Sequence, residues 1–87
     1  MIPAAQIATH RRAVRDYLAE RPSVSQCPET IHRFMPRGTP GDEADVATAC
    51  VVLTSLGQLT ETNDPLGGAT KFYKITAQGL LDFEAGR

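Results

Sequence analysis

Apolar residues recur at helical spacing near the start of the chain and predict a first helix. It extends from Pro3 to about Glu20, and Ile7, Val14 and Leu18 fall on one face of it. The opposite face is expected to be solvated and carries the charged side chains Arg12, Arg15, Asp16 and Glu20. Pro22 ends the run, because proline disfavours helical dihedral angles in the residue before it.

The following segment predicts a short extended piece, residues 23–26, and then a second helix within the sequence CPETIHRFM. Pro28 suits the first turn of that helix. Its small apolar face consists of Ile31, Phe34 and Met35. The sequence Pro-Arg-Gly directly afterwards ends the helix.

A third helix is predicted from about Pro40 to Leu56. Thr39 and Asp42 have the spacing of a capping box, in which each side chain binds the backbone amide of the other residue. The apolar positions i, i+3, i+4 and i+7 are Val46, Ala49, Cys50, Leu53 and Leu56. Gly57 is placed to end the helix in a left-handed conformation.

Alternating polar and apolar residues then predict two strands, residues 58–62 and 71–76. The sequence NDPLGGA between them is typical of a hairpin loop, because it combines Asn, Asp, Pro and paired glycines. Thr76 can cap a short C-terminal helix. The apolar residues that this helix is expected to bury are Leu80 and Phe83.

Size and composition favour a single soluble domain over residues 1–87. The chain is 41% apolar and 22% charged, and at 87 residues it can bury only one modest core. No apolar run has the length of a membrane span, and the first arginines follow the apolar residues rather than precede them, unlike a secretory signal. We therefore expect a cytoplasmic protein that does not enter membranes.

The net charge of −1 conceals an uneven distribution. Residues 1–39 contain six arginines and three acids, whereas residues 40–87 contain three basic residues and seven acids. Proteins dedicated to nucleic acids usually have a more basic balance, because neutralisation of phosphates supplies much of their affinity. Charge alone therefore does not identify a nucleic-acid binder.

The two cysteines and two histidines do not form a recognisable reactive or metal-binding motif. Cys27 and Cys50 are too few for a disulfide framework, and both are expected to be reduced thiols. A metal site would need them to converge with His10 and His32, but no closely spaced pair of ligands is present. No sequence motif places a cysteine beside a histidine for catalysis. We predict neither enzymatic activity nor a metal or other cofactor.

The order of these elements resembles the winged helix-turn-helix domain of bacterial and phage regulators. The most specific part is the sequence LTSLGQLTETNDPLGGATKFYKITAQGLLDF, in which a helix ends at glycine and a strand, a wing and a second strand lead into a capped helix. The resemblance implies an α+β, mainly α fold with a three-helix core, a two-stranded hairpin wing and a short C-terminal helix. It makes Pro40 to Leu56 the recognition helix and Asp64 to Thr70 the wing.

The same resemblance implies a transcriptional regulator that binds double-stranded DNA, although the recognition helix has an unusual composition. Asp42, Glu43 and Asp45 occupy the end that should approach DNA, and the outward positions carry no Lys or Arg. If DNA is bound, we expect phosphate contacts from the wing and from the region of the second helix. The candidate DNA-binding residues are Arg33, Arg37, Lys71 and Lys74, with Thr48 as the most favourable base contact.

A second hypothesis is a protein-interaction module without DNA binding. A helix with small and apolar residues on its outward face is usually covered by another surface. The candidate interface residues are Ala44, Thr48, Val51, Val52 and Ser55. The partner would be a second copy of the chain, forming a homodimer, or a different protein, and fold alone does not choose between these hypotheses.

Overall fold

The computed structural model describes residues 2–87, which form four α-helices and a two-stranded antiparallel hairpin. After a 3-10 turn at Ala4–Gln6, the elements are α1 (Ile7–Ala19), α2 (Pro28–Phe34), α3 (Glu43–Ser55), β1 (Leu59–Asn63), β2 (Lys71–Ile75) and α4 (Ala77–Glu84). This order is the one predicted, and the arrangement is that of a winged helix-turn-helix domain.

The hydrophobic core joins α1, α2, α3 and the hairpin. Its fully buried side chains are Val14, Leu18, Ile31, Val46, Cys50 and Leu53. Three apolar residues predicted on inner faces are exposed instead: Ile7 is 48% exposed, Phe34 is 61% exposed and Leu56 is 58% exposed. Phe34 is the last residue of a helix of only seven residues. The buried side chains on the inner side of this region are Ile31 and Met35, the residue directly after the helix. Leu56 follows the last residue of α3 and lies outside its buried stripe.

The prediction that Arg15 lies on a solvated face is also wrong, because the residue is only 4% exposed. Its Nε and Nη2 donate to the carboxylate of Asp16 at 3.1 and 2.9 Å. Its Nη1 donates to the backbone carbonyl of Arg87. The C-terminal end of the chain thus covers this side of α1, and a local helical pattern cannot reveal a contact of that kind.

Helix α3 begins later than predicted, at Glu43, and its capping box consists of Asp42 and Asp45. The carboxylate of Asp42 accepts from the Asp45 amide at 3.0 Å, and the carboxylate of Asp45 accepts from the Asp42 amide at 2.9 Å. The predicted cap, Thr39, instead donates its hydroxyl to the carbonyl of Pro36 at 2.7 Å. The cause is Gly41, whose φ of +102° interrupts the helical run before Asp42.

Replacement of the observed cap should therefore destabilise the protein more than replacement of the predicted one. We expect Asp42→Ala to lower the melting temperature clearly, because one amide of the first turn then loses its acceptor. Thr39→Ala should have a smaller effect, since it removes only an exposed turn hydrogen bond. Thermal unfolding of the two variants beside the native chain measures the difference. Equal losses would contradict the assignment of Asp42 as the cap.

The hairpin is in regular register from Leu59 opposite Ile75 to Asn63 opposite Lys71. A single residue of the segment between α1 and α2, Gln26, pairs with Tyr73 on the other side of β2 through two backbone hydrogen bonds of 2.9 and 2.8 Å. The predicted extended piece is thus confirmed at Gln26. This pairing attaches β2 to the three-helix core and leaves the loop between β1 and β2 as the projecting wing.

Candidate nucleic-acid interface

Helix α3 presents a row of exposed residues on the side opposite its buried stripe. This outer row consists of Ala44, Thr48, Val51 and Ser55. The Thr48 hydroxyl donates to the carbonyl of Ala44 at 3.1 Å, and the Ser55 hydroxyl donates to the carbonyl of Val52 at 2.7 Å. Because each hydroxyl proton is used within the helix, the oxygens are left as acceptors toward a ligand. Val52 is half-buried and lies at the edge of the row toward α1, where it lines a pocket together with Thr48.

Lys71 lies beside this row, across a groove of about 410 Å³ that runs between β2 and the first turns of α2 and α3. Its ammonium group donates to the side-chain carbonyl of Asn63, the paired residue on β1. Ala44 and Ala47 line the same groove, which also contains the acids Glu29 and Glu43. The structure therefore brings one candidate lysine to the outer face of α3, in a groove of mixed charge.

Lys74 does not share that position. Alternate residues of a strand point to opposite faces, and the buried side chains of β2 are Tyr73 and Ile75. Lys71 is on their face of the strand, whereas Lys74 is on the other face with Phe72. Phe72 lines a separate groove with Tyr17 of α1. Lys71 and Lys74, which the sequence-based hypothesis treats as one pair of DNA contacts, are consequently on opposite faces of the hairpin.

Arg33 and Arg37 lie at the other end of α2, where both line a cleft of about 200 Å³ between α1, α2 and the segment leading to α3. Arg33 is exposed and paired with Glu29 one turn earlier, with Nη2 2.8 Å from the carboxylate. Arg37 makes no hydrogen bond or ion pair with residues 2–87. Of the two arginines, Arg37 has the guanidinium group better placed to bind an external anion.

The acids at the start of α3 are bound mainly to the helix itself. In the capping box, the Asp42 and Asp45 carboxylates accept from backbone amides. The amide of Asp45 holds the pKa of Asp42 below its usual value. Because a helix N-terminus carries a partial positive charge of roughly half a unit, two carboxylates placed there are partly offset. Glu43, in the groove with Lys71, is the acid that more directly opposes an approaching phosphate.

Two features of this region were not predicted from the sequence. Leu66, at the tip of the wing, is 94% exposed and is held by a turn in which Asp64 accepts from its amide at 2.8 Å. The proline and glycine that flank it in the sequence could have indicated an exposed tip. His10 is 3% exposed, and within residues 2–87 its Nε2 has no hydrogen-bond partner. Its position one turn before Val14 on the buried face of α1 could have indicated that burial.

The buried His10 makes the stability of the fold dependent on pH. Burial lowers its pKa from the ordinary value of 6.5, while the nearby carboxylate of Asp45 raises it and His32 lowers it further. In the unfolded chain the imidazole takes up a proton near its ordinary pKa, whereas in the folded chain it resists protonation. The free energy of unfolding should thus fall as the pH drops below 6.5, and the loss should end below the folded-state pKa.

We expect His10→Gln to flatten this pH dependence, because glutamine does not titrate. The measurement is urea unfolding at several values from about pH 7 to about pH 5.5. His32→Gln is the comparison variant: His32 is exposed on α2 and has the smallest of the three influences on the pKa of His10, so its removal should flatten the pH dependence only slightly. An unchanged slope in His10→Gln, or equal flattening in both variants, would show that His10 is not the responsible group.

The cysteines of residues 2–87 are not paired with each other, and one of them is deeply buried. Cys27 and Cys50 are both free, and burial raises the pKa of the Cys50 thiol to about 12, so that it is protonated at neutral pH. Among residues 2–87, no three His, Cys, Asp or Glu side chains are arranged to hold a metal ion. No helix in the same range is both long and apolar enough to cross a membrane.

Comparison with known proteins supports the fold. No protein-family model and no curated protein sequence matches the chain significantly. A probable transcriptional regulator from Pseudomonas aeruginosa has a similar structure, with a TM-score of 0.67 and 19% identity over 85% of this chain and 52% of that one. This chain thus spans about half the length of that structure.

A second similar structure is a possible transcriptional regulator for arsenical resistance. Its TM-score is 0.61, with 21% identity over 98% of this chain and 80% of that one. TM-scores of this size show a shared fold, and the predicted winged helix-turn-helix architecture is confirmed. The identities are low. They do not carry the function of either protein over to this chain.

Proposed function

We propose that this chain is a small transcriptional regulator that contacts double-stranded DNA through the outer row of α3 and the wing. The observation that carries the proposal is the outer row itself, which is exposed in a winged-helix fold and lies beside Lys71. Small side chains on that row allow the helix to approach a groove closely. Both similar structures are described as transcriptional regulators, which supports the same general role here.

The proposed contacts follow from the positions of individual side chains. Lys71 and Arg37 bind phosphates on either side of the α3 N-terminus. Thr48 accepts a hydrogen bond from an exocyclic amine of cytosine or adenine in the major groove, because its own proton is used within the helix. Leu66 at the wing tip makes an apolar contact in the adjacent minor groove.

The other candidate residues contribute less in this proposal. Arg33 is neutralised by Glu29, and Lys74 lies on the face of β2 away from α3. The acids of the α3 capping box do not oppose the assignment strongly, since their carboxylates are bound to the helix N-terminus. Glu43 lowers the affinity and restricts how deeply the helix enters the groove.

A protein-interaction module is the second candidate function, and the chemistry of the outer row favours it. With the hydroxyl protons of Thr48 and Ser55 used internally, the row presents mostly methyl groups, and Val51 is 56% exposed. Such a surface suits an apolar partner, either a second copy or another protein. Of the residues predicted for this interface, Ala44, Thr48, Val51 and Ser55 form the surface, whereas Val52 lies at its edge toward α1.

Charge substitutions at Val51 distinguish the two functions. If the outer row meets DNA, Val51→Lys should strengthen binding to a duplex several-fold and Val51→Glu should weaken it by a similar factor, because a new charge lies close to phosphates. If the row docks a protein, both charges should disrupt association alike. The measurements are fluorescence anisotropy with labelled duplex DNA and the molecular mass in solution over a range of concentrations.

The matched controls are Leu81→Lys and Leu81→Glu, since Leu81 is an apolar residue on α4 that is exposed to a similar extent, 58%. They should leave DNA binding nearly unchanged. Equal effects of either sign of charge at Val51, or equal effects at Leu81, would count against a DNA-facing outer row.

A further inference from the structure

The cleft between α1, the end of α2 and the segment before α3 is lined by several side chains that carry nitrogen donors. Four nitrogen-bearing side chains that can donate hydrogen bonds or carry positive charge line it, His10, His32, Arg33 and Arg37. The cleft is also lined by Gly38 and Gly41, where the backbone is not covered by a side chain. No carboxylate is among its lining residues within the described chain, although Asp45 lies close enough to His10 to raise the pKa of the imidazole.

The buried imidazole of His10 provides a second, independent observation. Its Nε2 has no hydrogen-bond partner within residues 2–87, although leaving a buried polar group unsatisfied is destabilising. A Cβ atom at Gly41 would lie 3.0 Å from this nitrogen, so a side chain at that position would crowd the imidazole on the side of the cleft. A neutral imidazole with its proton on Nε2 can donate to an acceptor that the protein itself does not supply.

We propose that this cleft binds a phosphate-type oxyanion. The anion accepts from His10 at the base of the cleft and from His32 and Arg37 at its rim. Arg33 contributes less charge, because it is already paired with Glu29. A guanidinium group offers paired donors that match a tetrahedral oxyanion. The assignment does not depend on DNA binding by the outer row of α3.

The size of the cleft limits the ligand. Sites for drug-sized molecules usually have roughly 300–1,000 Å³, whereas this one has about 200 Å³. It suits a single phosphate group, which can come from two sources. One is a free phosphate or a small phosphate ester, and the other is a phosphate of a DNA backbone that passes the α2–α3 connection.

Two-dimensional amide NMR of the native chain, titrated with inorganic phosphate at fixed pH and ionic strength, tests the assignment. We expect saturable shifts of the amides of Arg37, Gly38, Thr39 and Gly41 and, in a separate spectrum of the imidazole groups, of the His10 signals, with no comparable effect of chloride. Arg37→Gln and His32→Gln should each weaken phosphate binding several-fold, because each removes one donor at the rim. Both side chains are exposed, so neither change disturbs the core.

Arg12→Gln is the matched control, since it removes one exposed arginine charge from α1 outside the cleft. It should leave phosphate binding as in the native chain. Shifts that chloride reproduces, shifts that do not involve His10, or equal weakening by Arg12→Gln and Arg37→Gln would overturn the proposal.

Addition of duplex DNA to the phosphate-loaded protein identifies the source of the anion. Displacement of phosphate from the cleft would support a DNA backbone phosphate as the occupant. DNA binding with phosphate retained would support a separate small-anion site. A chain that binds phosphate but no DNA would refute the proposed function and leave the oxyanion site supported.

Discussion

Replacement of Gly79 by alanine is expected to destabilise the protein severely, although alanine is the better helix former. A Cβ at this position in α4 would lie 2.3 Å from the backbone oxygen of Gln58 and 2.7 Å from Cγ1 of Ile75. The Gln58 carbonyl cannot easily move, because it accepts from the Thr76 amide at 3.0 Å. Relief of the clash therefore requires the whole of α4 to shift, and the helix then loses its packing against the hairpin.

Overpacking of this kind typically costs about 1–3 kcal/mol. The gain in helix propensity is only about 0.5–1 kcal/mol, so the clash dominates. For a domain of this size, each kcal/mol lowers the melting temperature by roughly 4–8 °C. Thermal unfolding by circular dichroism measures the change, and Glu84→Ala, at an exposed position of the same helix, is the control. An unchanged or higher melting temperature in Gly79→Ala would mean that α4 does not approach Gln58 as closely as described.

Removal of Arg37 and Lys71 together is expected to have the largest effect on DNA binding. Each phosphate contact contributes a salt-dependent term with a slope of about −0.9 in a plot of log K against log salt. At about 50 mM salt this corresponds to roughly tenfold in affinity per contact. The double variant Arg37→Ala, Lys71→Ala should thus bind a duplex about a hundredfold more weakly than the native chain, with a slope reduced by about 1.8.

The control for this prediction is a second double variant with the same loss of charge, Arg12→Ala, Lys74→Ala. Arg12 is exposed on α1, and Lys74 is on the face of β2 opposite Lys71. This control variant should bind DNA only slightly more weakly than the native chain, because it changes the overall electrostatic field of the protein and removes no proposed phosphate contact. If both double variants weaken binding equally, the effect depends on net charge and not on the surface around α3.

The order of the elements could be predicted because each depends on short-range patterns. The apolar stripe of α3, the proline at the start of α2 and the cap at Thr76 are properties of a few neighbouring residues. Thr76 does accept from the Gly79 amide, at 3.1 Å. The start of α3 was predicted wrongly because two capping patterns overlap there. Thr39 and Asp42 have the same spacing as Asp42 and Asp45, and the backbone conformation of Gly41 decides between them.

Features that depend on distant parts of the chain could not be predicted in this way. Arg15 is covered by Arg87, 72 positions later, and Gly79 is required by the carbonyl of Gln58 in the turn between α3 and β1. The positions of Lys71 and Lys74 on β2 could be predicted in part. Their spacing of three residues already implies opposite faces of a strand, but the side that faces α3 depends on packing. The cleft at His10 joins three separate segments, and no single motif contains it.

Association of the native chain with random duplex DNA, measured by anisotropy between about 50 and 200 mM salt, tests the proposed function most directly. If Arg37 and Lys71 bind phosphates, log affinity should fall linearly with log salt, with a slope at least as steep as about −1.8. Absence of binding at the lowest salt, or an affinity that salt does not change, would contradict a role in binding DNA.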